Sequence, residues 1–196
     1  MKTLYERLDL IKPKILSSSF RAGQGLGNEI NFWIFDYDAE DEMAVRFHIQ
    51  FLKDSIAAER DNVRLVVFDL FDLMVDYLDE KNYLTRVLKM ESDKKSISVI
   101  NPIKTTLGLT ENDDADNVIA GRIAEANNPD TDIIIIHGVG KAWPVIRSHT
   151  ILNNLHKRIE KTPLIMFFPG IYESELKLFG EITDDNYYRA FRLIER

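Results

Sequence analysis

From Thr131 to His149 the chain reads Thr-Asp-Ile-Ile-Ile-Ile-His-Gly-Val-Gly-Lys-Ala-Trp-Pro-Val-Ile-Arg-Ser-His. Its four consecutive isoleucines have no polar break, so both faces of this segment are expected to be buried. Such a run is typical of a central strand in a parallel sheet. His137 and Gly138 then end the strand in a loop. Pro144 is a suitable first residue for a following helix, because its missing N–H is not needed there. The stretch therefore predicts a strand, a tight loop and a helix.

Similar apolar runs predict three further strands, at about 30–35, 63–70 and 164–168, the last stopped by Pro169 and Gly170. Helical patterns follow at about 39–60, 71–90, 115–126 and 144–160. Strands that alternate with helices predict an α/β fold, here a three-layer sandwich with a mostly parallel central sheet. For the segment 91–112 the sequence is compatible with a strand, a helix or a loop.

The chain has no internal repeat and no clear linker, so its 196 residues predict a single domain, 1–196. An N-terminal helix is expected at about 3–18, with Pro13 able to kink or split it. The core follows at about 29–170. A C-terminal extension at about 171–196 adds either a strand or a short helix.

Ligands of open α/β sheets bind outside the carboxyl ends of the strands. In this chain the expected strand ends carry a common set of polar and glycine residues, which we take as a candidate ligand or partner cleft. They are Asp36, Asp69, His137, Gly138, Arg147 and His149.

The predicted strand that ends in Asp69 imitates the acid-tipped strand of P-loop NTPases, but no G-x-x-x-x-G-K-[ST] segment accompanies it. Gly140-Lys141 is followed by Ala142, and the glycines between Arg21 and Asn28 precede a strand rather than a helix. We therefore predict a P-loop-NTPase-like core without a Walker A motif, and a capping or hydrogen-bonding role for Asp69.

The residues predict no catalytic group, no metal site and no cofactor. His149 and His156 are seven residues apart on one helix, which is too far for a shared metal ion. The chain has no cysteine and no G-x-S-x-G elbow, so a nucleophilic triad has no signature here.

A second candidate is a protein interface in the C-terminal region, where aromatic and arginine side chains concentrate. Tyrosine and arginine are typical anchors at protein interfaces. The alternative is that they cover the sheet or form structural ion pairs. The candidate interface residues are Tyr172, Tyr187, Tyr188, Arg189 and Arg192.

The composition of the chain indicates which kinds of partner and which location to expect. The net charge of -7 disfavours direct nucleic-acid binding, because a phosphate backbone requires clustered lysine and arginine. No apolar run reaches the roughly 18 residues of a membrane span, and the N-terminus lacks a signal-peptide core. The absence of cysteine fits a reducing compartment, so a cytoplasmic location is expected.

Several longer motifs resemble the BrxB family of BREX (bacteriophage exclusion) systems. They are Gly25-Leu-Gly-Asn-Glu-Ile, Phe32-Trp-Ile-Phe-Asp-Tyr-Asp, Arg147-Ser-His-Thr-Ile-Leu-Asn-Asn-Leu, Phe167-Phe-Pro-Gly-Ile-Tyr and Asn186-Tyr-Tyr-Arg-Ala-Phe-Arg-Leu-Ile. The resemblance implies a cytoplasmic role in anti-phage defence, beside a DNA methyltransferase, the alkaline-phosphatase-like protein PglZ and the ATPase BrxC. The family has no established catalytic residues to carry over.

Three hypotheses follow. The first is a non-catalytic assembly or adaptor protein that docks a larger BREX subunit, PglZ before BrxC. The second is a nucleotide-binding protein or enzyme with its site at the strand ends. The third, disfavoured by the acidic balance, is nucleic-acid binding through a local basic patch.

Overall fold

The computed structural model describes residues 2–21, 31–59, 62–94, 96–109, 117–159, 161–173, 175–183 and 190–196. The strands are β1 Phe32–Tyr37, β2 Arg64–Asp69, β3 Asp132–His137, β4 Leu164–Tyr172, β5 Leu176–Leu178, β6 Ile182–Thr183 and β7 Phe191–Arg192. The helices are α1 Leu4–Asp9, α2 Ile11–Leu16, α3 Ser18–Arg21, α4 Glu42–Ala57, α5 Leu70–Glu80, α6 Leu84–Lys94, α7 Ile97–Thr106, α8 Val118–Glu125, α9 Val139–Ala142 and α10 Ser148–His156. A short 3₁₀ turn, Ala39–Asp41, precedes α4.

The central sheet has the strand order β2–β3–β4–β1–β7, and all four of these pairings are parallel. Two short strands extend one end of it, because β5 pairs antiparallel with the last residues of β4 and β6 pairs with β5. The structure thus confirms an α/β fold with a mostly parallel central sheet flanked by helices.

Each face of the sheet has its own apolar core, because successive strand residues point to opposite faces. One core packs α5 to α10 against one set of strand residues, which includes Ile34, Ile134 and Met166. The other packs α1, α2 and α4 against the alternate set, which includes Phe35 and Ile135. The unbroken isoleucine run is therefore buried on both faces, as its sequence predicts.

Two strand boundaries differ from the prediction. β1 runs on to Tyr37, so Asp36 lies inside a buried strand instead of at its tip. β4 continues through Pro169 and Gly170 to Tyr172, where it pairs with β5. Pro169 does not stop the strand because its carbonyl still accepts a hydrogen bond, from the N–H of Phe179 (2.8 Å).

Two predicted helices are divided and a third is shortened. The segment 3–18 splits after Asp9, and Pro13 lies in the first turn of α2, where its missing N–H needs no acceptor. The segment 71–90 breaks between α5 and α6, where Asn82 adopts a positive φ of 59°. The segment 144–160 begins as helix only at Ser148, so Pro144 is not a first helical residue and lies in the turn between α9 and α10.

The ambiguous segment 91–112 is mostly helical where it is described, with turns at Ser96 and after Thr106. α6 continues to Lys94, and α7 follows at Ile97–Thr106 with Pro102 inside it. The C-terminal extension adopts the strand alternative, as β5, β6 and β7.

Candidate functional site

Asp36, expected at an open strand end, is a fully buried ion-pair centre. Arg7 from α1 donates to its Oδ1 (2.9 Å), and Arg196 donates through Nε to its Oδ2 (3.0 Å). Arg192 lies 3.5 Å from the same Oδ2, and the backbone N–H of Tyr172 donates to it at 3.2 Å. Three separate segments of the chain, α1, β4 and residues 192–196, therefore converge on one carboxylate.

Arg7 is nearly as buried as the acid it pairs with. Burial lowers its pKa from the ordinary value, while Asp36 raises the pKa and the neighbouring Arg196 and Arg192 lower it further. The guanidinium carbon also lies 4.6 Å from the centre of the Phe35 ring. Arg7 is thus held by a ring and a carboxylate, and it closes the cluster from the α1 side.

Arg196 completes the closure on the β4 side. It donates to Asp38 (3.0 Å) and to the carbonyl of Gly170 (2.8 Å), besides its bond to Asp36. The crevice between the carboxyl ends of β1 and β4, where an open α/β sheet receives its ligand, is consequently occupied by the chain's own charged side chains.

A second group forms at the ends of β2 and β3, which are adjacent and in register at Asp69 and His137. Asp69 caps α5, because its Oδ1 accepts from the N–H groups of Phe71 (3.0 Å) and Asp72 (3.3 Å). Its Oδ2 lies 2.5 Å from Nζ of Lys141 and 3.4 Å from Nδ1 of His137. The capping role predicted for Asp69 is what the structure shows.

Burial lowers the pKa of His137, and although Asp69 raises that pKa, Lys141 and Arg46 lower it. The imidazole is therefore neutral at neutral pH. Gly138 belongs to the same group. Its φ is +74°, and a Cβ at this position would lie 2.3 Å from Oδ1 of Asp69, so only glycine fits there without displacing the cap.

A cleft of about 380 Å³ opens beside Asp69 and His137, between α4 and α5. Arg46, Gln50 and Lys53 line its α4 side, with Asp72 and Asp76 on the α5 side. Asp69, His137 and Gly138 thus lie together, as expected for residues at the ends of neighbouring parallel strands. Asp36 belongs to a separate arginine cluster, which it forms with Arg7, Arg192 and Arg196.

Arg147 and His149 lie at the start of α10 and do not line that cleft. His149 instead shares a hydrogen bond with the hydroxyl of Thr150 (3.1 Å). The six strand-end candidates therefore divide among three places in the fold.

Of the candidate interface residues, Tyr172 is buried. Its hydroxyl donates to the carbonyl of Ala190 (2.5 Å). Arg192 pairs with Asp36 and with Glu195. Both residues therefore fit the alternative given above, that these side chains cover the sheet or form structural ion pairs. Tyr187, Tyr188 and Arg189 lie outside the described residues, as do the glycines between Arg21 and Asn28.

Sequence reasoning missed Arg7, Lys141 and Arg196, whose roles depend on distant segments. It also missed the outer face of α4. There Met43, Phe47 and Phe51 are 57%, 71% and 59% exposed. Their i, i+4, i+8 spacing was the available signal, because it places all three on one side of a helix.

Within the described ranges, no group of three or more His, Asp or Glu side chains could hold a metal ion. None of the helices found in those same ranges combines the length and apolarity that a membrane crossing requires.

The fold and these sites define a class: an α/β protein with an open, mostly parallel sheet, whose central strand ends are closed by its own ion pairs. A family model described as "BREX protein BrxB" matches residues 66–193. A BREX protein BrxB from Bacillus cereus (strain H3081.97) is 48% identical, and the match covers 100% of both chains. One from Escherichia coli O9:H4 (strain HS) is 33% identical over 96% of this chain and 90% of its own.

The chain therefore belongs to the BrxB family and is a component of a BREX anti-phage system, as the resemblance of its motifs implies. No solved structure shows significant similarity to it.

Proposed function

We propose that this chain is a non-catalytic assembly or adaptor protein of its BREX system. It acts in the cytoplasm as a single domain, 1–196, with a P-loop-NTPase-like core that lacks nucleotide chemistry. Its task is to dock a larger BREX subunit. PglZ is the expected partner and BrxC the next candidate.

The exposed apolar face of α4, formed by Met43, Phe47 and Phe51, is the observation that carries this proposal. The inner face of the same helix is already buried through Val45, Ile49, Leu52 and Ile56, so the outer residues are not needed for the core. Contiguous apolar surface that stays exposed marks protein contact sites. Large aromatic side chains are among the residues that contribute most to binding energy.

The region that would hold a phosphate also favours a non-catalytic role. Phosphates bind where a helix N-terminus follows a strand, because its free N–H groups and dipole attract anions. The helix that follows β1 is α4. The residues that lead into its first turn include four acids, Asp38, Glu40, Asp41 and Glu42. Glu42 also accepts a hydrogen bond from the hydroxyl of Tyr37 (2.5 Å). This concentration of carboxylates repels a triphosphate.

A pull-down with full-length PglZ at about 0.15 M salt, near physiological ionic strength, tests the proposal. We expect the wild-type chain to retain PglZ, and the double variant Phe47→Ser, Phe51→Ser to retain at least tenfold less. The urea midpoint of that variant should stay close to that of the wild type, because both side chains are mostly exposed. Leu88→Ser is the matched control, since Leu88 is an exposed apolar residue on α6.

Two results would count against the proposal. Recovery of no PglZ by the wild-type chain contradicts the adaptor role with this partner. Equal recovery of PglZ by the wild type and the double variant would show that the outer face of α4 is not part of the interface.

The cleft beside Asp69 and His137 supports one other candidate, a nucleotide-binding protein or enzyme. Its volume of about 380 Å³ lies within the range of small-molecule sites, roughly 300–1,000 Å³. However, Asp69 is already engaged by the N-terminus of α5 and by Lys141.

A further inference from the structure

The outer edge of β2 has no strand beside it in the described part of the chain, since β2 stands at one end of the sheet and pairs with β3 alone. The N–H of Arg64 donates to the carbonyl of Thr131 (2.8 Å), towards β3. Backbone groups of a strand alternate between its two sides. Arg64, Val66 and Phe68 therefore bond to β3, whereas Leu65, Val67 and Asp69 direct their N–H and C=O groups outward.

A groove follows this edge. The cleft beside Asp69 and His137 meets a second cleft, of about 370 Å³, which is lined by residues 63–67 of the chain. Val67 and Lys53 line both clefts. The groove thus extends along the six residues of β2, roughly 20 Å at about 3.3 Å per residue.

The two walls of the groove carry opposite charge. Arg46 and Lys53 project from α4, and Asp72 and Asp76 from α5. Among the described residues, no ion pair engages Arg46 or Lys53. Asp72 lies 3.5 Å from Nζ of Lys141, which is shared with Asp69. The basic wall is therefore available to a partner's carboxylates.

We infer that this groove binds an extended segment of a partner protein, which joins the sheet as a strand beside β2. Side chains of an added strand alternate between the two walls, so the segment has acidic residues facing α4 and basic residues facing α5. Main-chain hydrogen bonds supply affinity in such strand addition, and the alternate side chains supply specificity. The inference rests on the proposed adaptor function and specifies how the partner is held.

Charge argues against a second copy of this chain as the occupant. Two β2 edges related by a two-fold axis perpendicular to the sheet would place both α4 helices on the same face. Arg46 and Lys53 of one copy would then lie near the same residues of the other, and like charges facing each other oppose association.

Val67→Pro tests the hydrogen bonding. It removes an outward N–H from an edge strand, a position where proline is tolerated, and it leaves the bonds of Val66 to β3 in place. With full-length PglZ as the probe, we expect Val67→Pro to bind at least tenfold more weakly than the wild type. Val67→Ala, which keeps the N–H, should stay within about threefold.

Amide hydrogen exchange of the wild-type chain provides a readout that does not depend on the folding of a variant. In the complex, exchange of the Leu65 and Val67 amides should slow at least tenfold. The amides of Val66 and Phe68 are already bonded to β3 and should change little. Unchanged exchange at Leu65 and Val67 would overturn strand addition.

Charge reversal tests the basic wall. We expect Lys53→Glu to weaken PglZ binding at least tenfold, whereas Lys89→Glu, an exposed change on α6, leaves it unaltered. An unaltered affinity of Lys53→Glu would overturn the predicted acidic face of the segment.

The outcomes separate the two proposals. If the wild type binds no PglZ, the adaptor role with this partner fails and this inference fails with it. If the wild type binds but neither Val67→Pro nor hydrogen exchange shows an effect, only strand addition is overturned. A self-associated chain that Val67→Pro converts to monomer would make a second copy the occupant, against the inference.

Discussion

At the residue scale, Asp36 shows how a single carboxylate can join distant parts of a chain. Its guanidinium partners are 29, 156 and 160 residues away in sequence. All of them approach a side chain that water does not reach. A buried charge is tolerated only while its partners are in place, so Asp36 and the arginine cluster depend on each other.

Asp36→Asn should lower the free energy of unfolding by about 3–5 kcal/mol, because it leaves the buried Arg7 without its compensating charge. Asp38→Asn is the control. Asp38 is exposed, and among the described residues its ion-pair partner is Arg196, so its loss should cost less than about 1 kcal/mol. Urea denaturation of both variants measures the difference. An Asp36→Asn protein within about 1 kcal/mol of the wild type would show that the cluster contributes no net stability.

The neutral state of His137 predicts a pH dependence. Burial lowers its folded-state pKa, so below about 6.5 the unfolded chain takes up a proton that the folded chain resists. Stability should therefore fall as the pH drops from about 7.5 through 6.5, and the loss should end once the pH is below the folded pKa.

His137→Gln should reduce that slope, measured from unfolding free energies at several pH values. Burial also lowers the pKa of His48, so part of the slope should persist until His48→Gln is added. An unchanged slope in both variants would assign the pH dependence to other groups.

At the element scale, the turn from β3 into α9 depends on Gly138. Gly138→Ala should destabilise the chain by about 1–3 kcal/mol, the usual cost of a strained backbone position. A Cβ there would also collide with Asp69, the cap of α5. Gly121→Ala is the matched control. Gly121 lies inside α8 with nothing within 4 Å of its Cβ position, so alanine should stabilise by about 0.5–1 kcal/mol. Thermal unfolding of the two variants measures both effects. A Gly138→Ala protein as stable as the wild type would contradict the predicted collision with Asp69.

The elements show which features a sequence makes predictable. The strands β3 and β4 follow from unbroken apolar runs, because a strand buried on both faces admits few polar residues. The apolar run of β2 predicts a strand as well, although β2 stands at the edge of the sheet and most of its residues are only partly buried. The break at Asn82 has only a weak signal: asparagine tolerates a positive φ and can end a helix, but the residues around it have ordinary helix propensity. The burial of Asp36 is equally hidden, because its partners are fixed by the fold and not by local spacing. By contrast, the grouping of Asp69 with His137 follows from the rule that parallel strands end at one edge.

At the scale of the whole molecule, the central strand ends are closed. Among the described residues, one edge of the sheet has no strand beside it and the outer face of α4 stays exposed. The groups that close the strand ends come from α1, from β4 and from the last residues of the chain. The open surfaces share α4, which presents Phe47 and Phe51 outward and Lys53 towards β2. A partner that adds a strand to β2 therefore lies next to the apolar face of α4, and one protein can engage both surfaces.

This arrangement predicts that nucleotides do not bind well. Titration calorimetry with ATP or GTP and Mg²⁺ should show no binding tighter than about 100 µM, roughly -5.5 kcal/mol. Arg7 and Arg196 fill the strand-end crevice, and the acids from Asp38 to Glu42 repel a triphosphate. The remaining cleft has Asp69 bound to its own helix and to Lys141. Saturable binding below 100 µM would contradict this prediction. Its loss in Asp69→Ala, but not in Asp38→Asn, would then place the nucleotide in the cleft between α4 and α5 and favour an enzyme or nucleotide-binding protein over an adaptor.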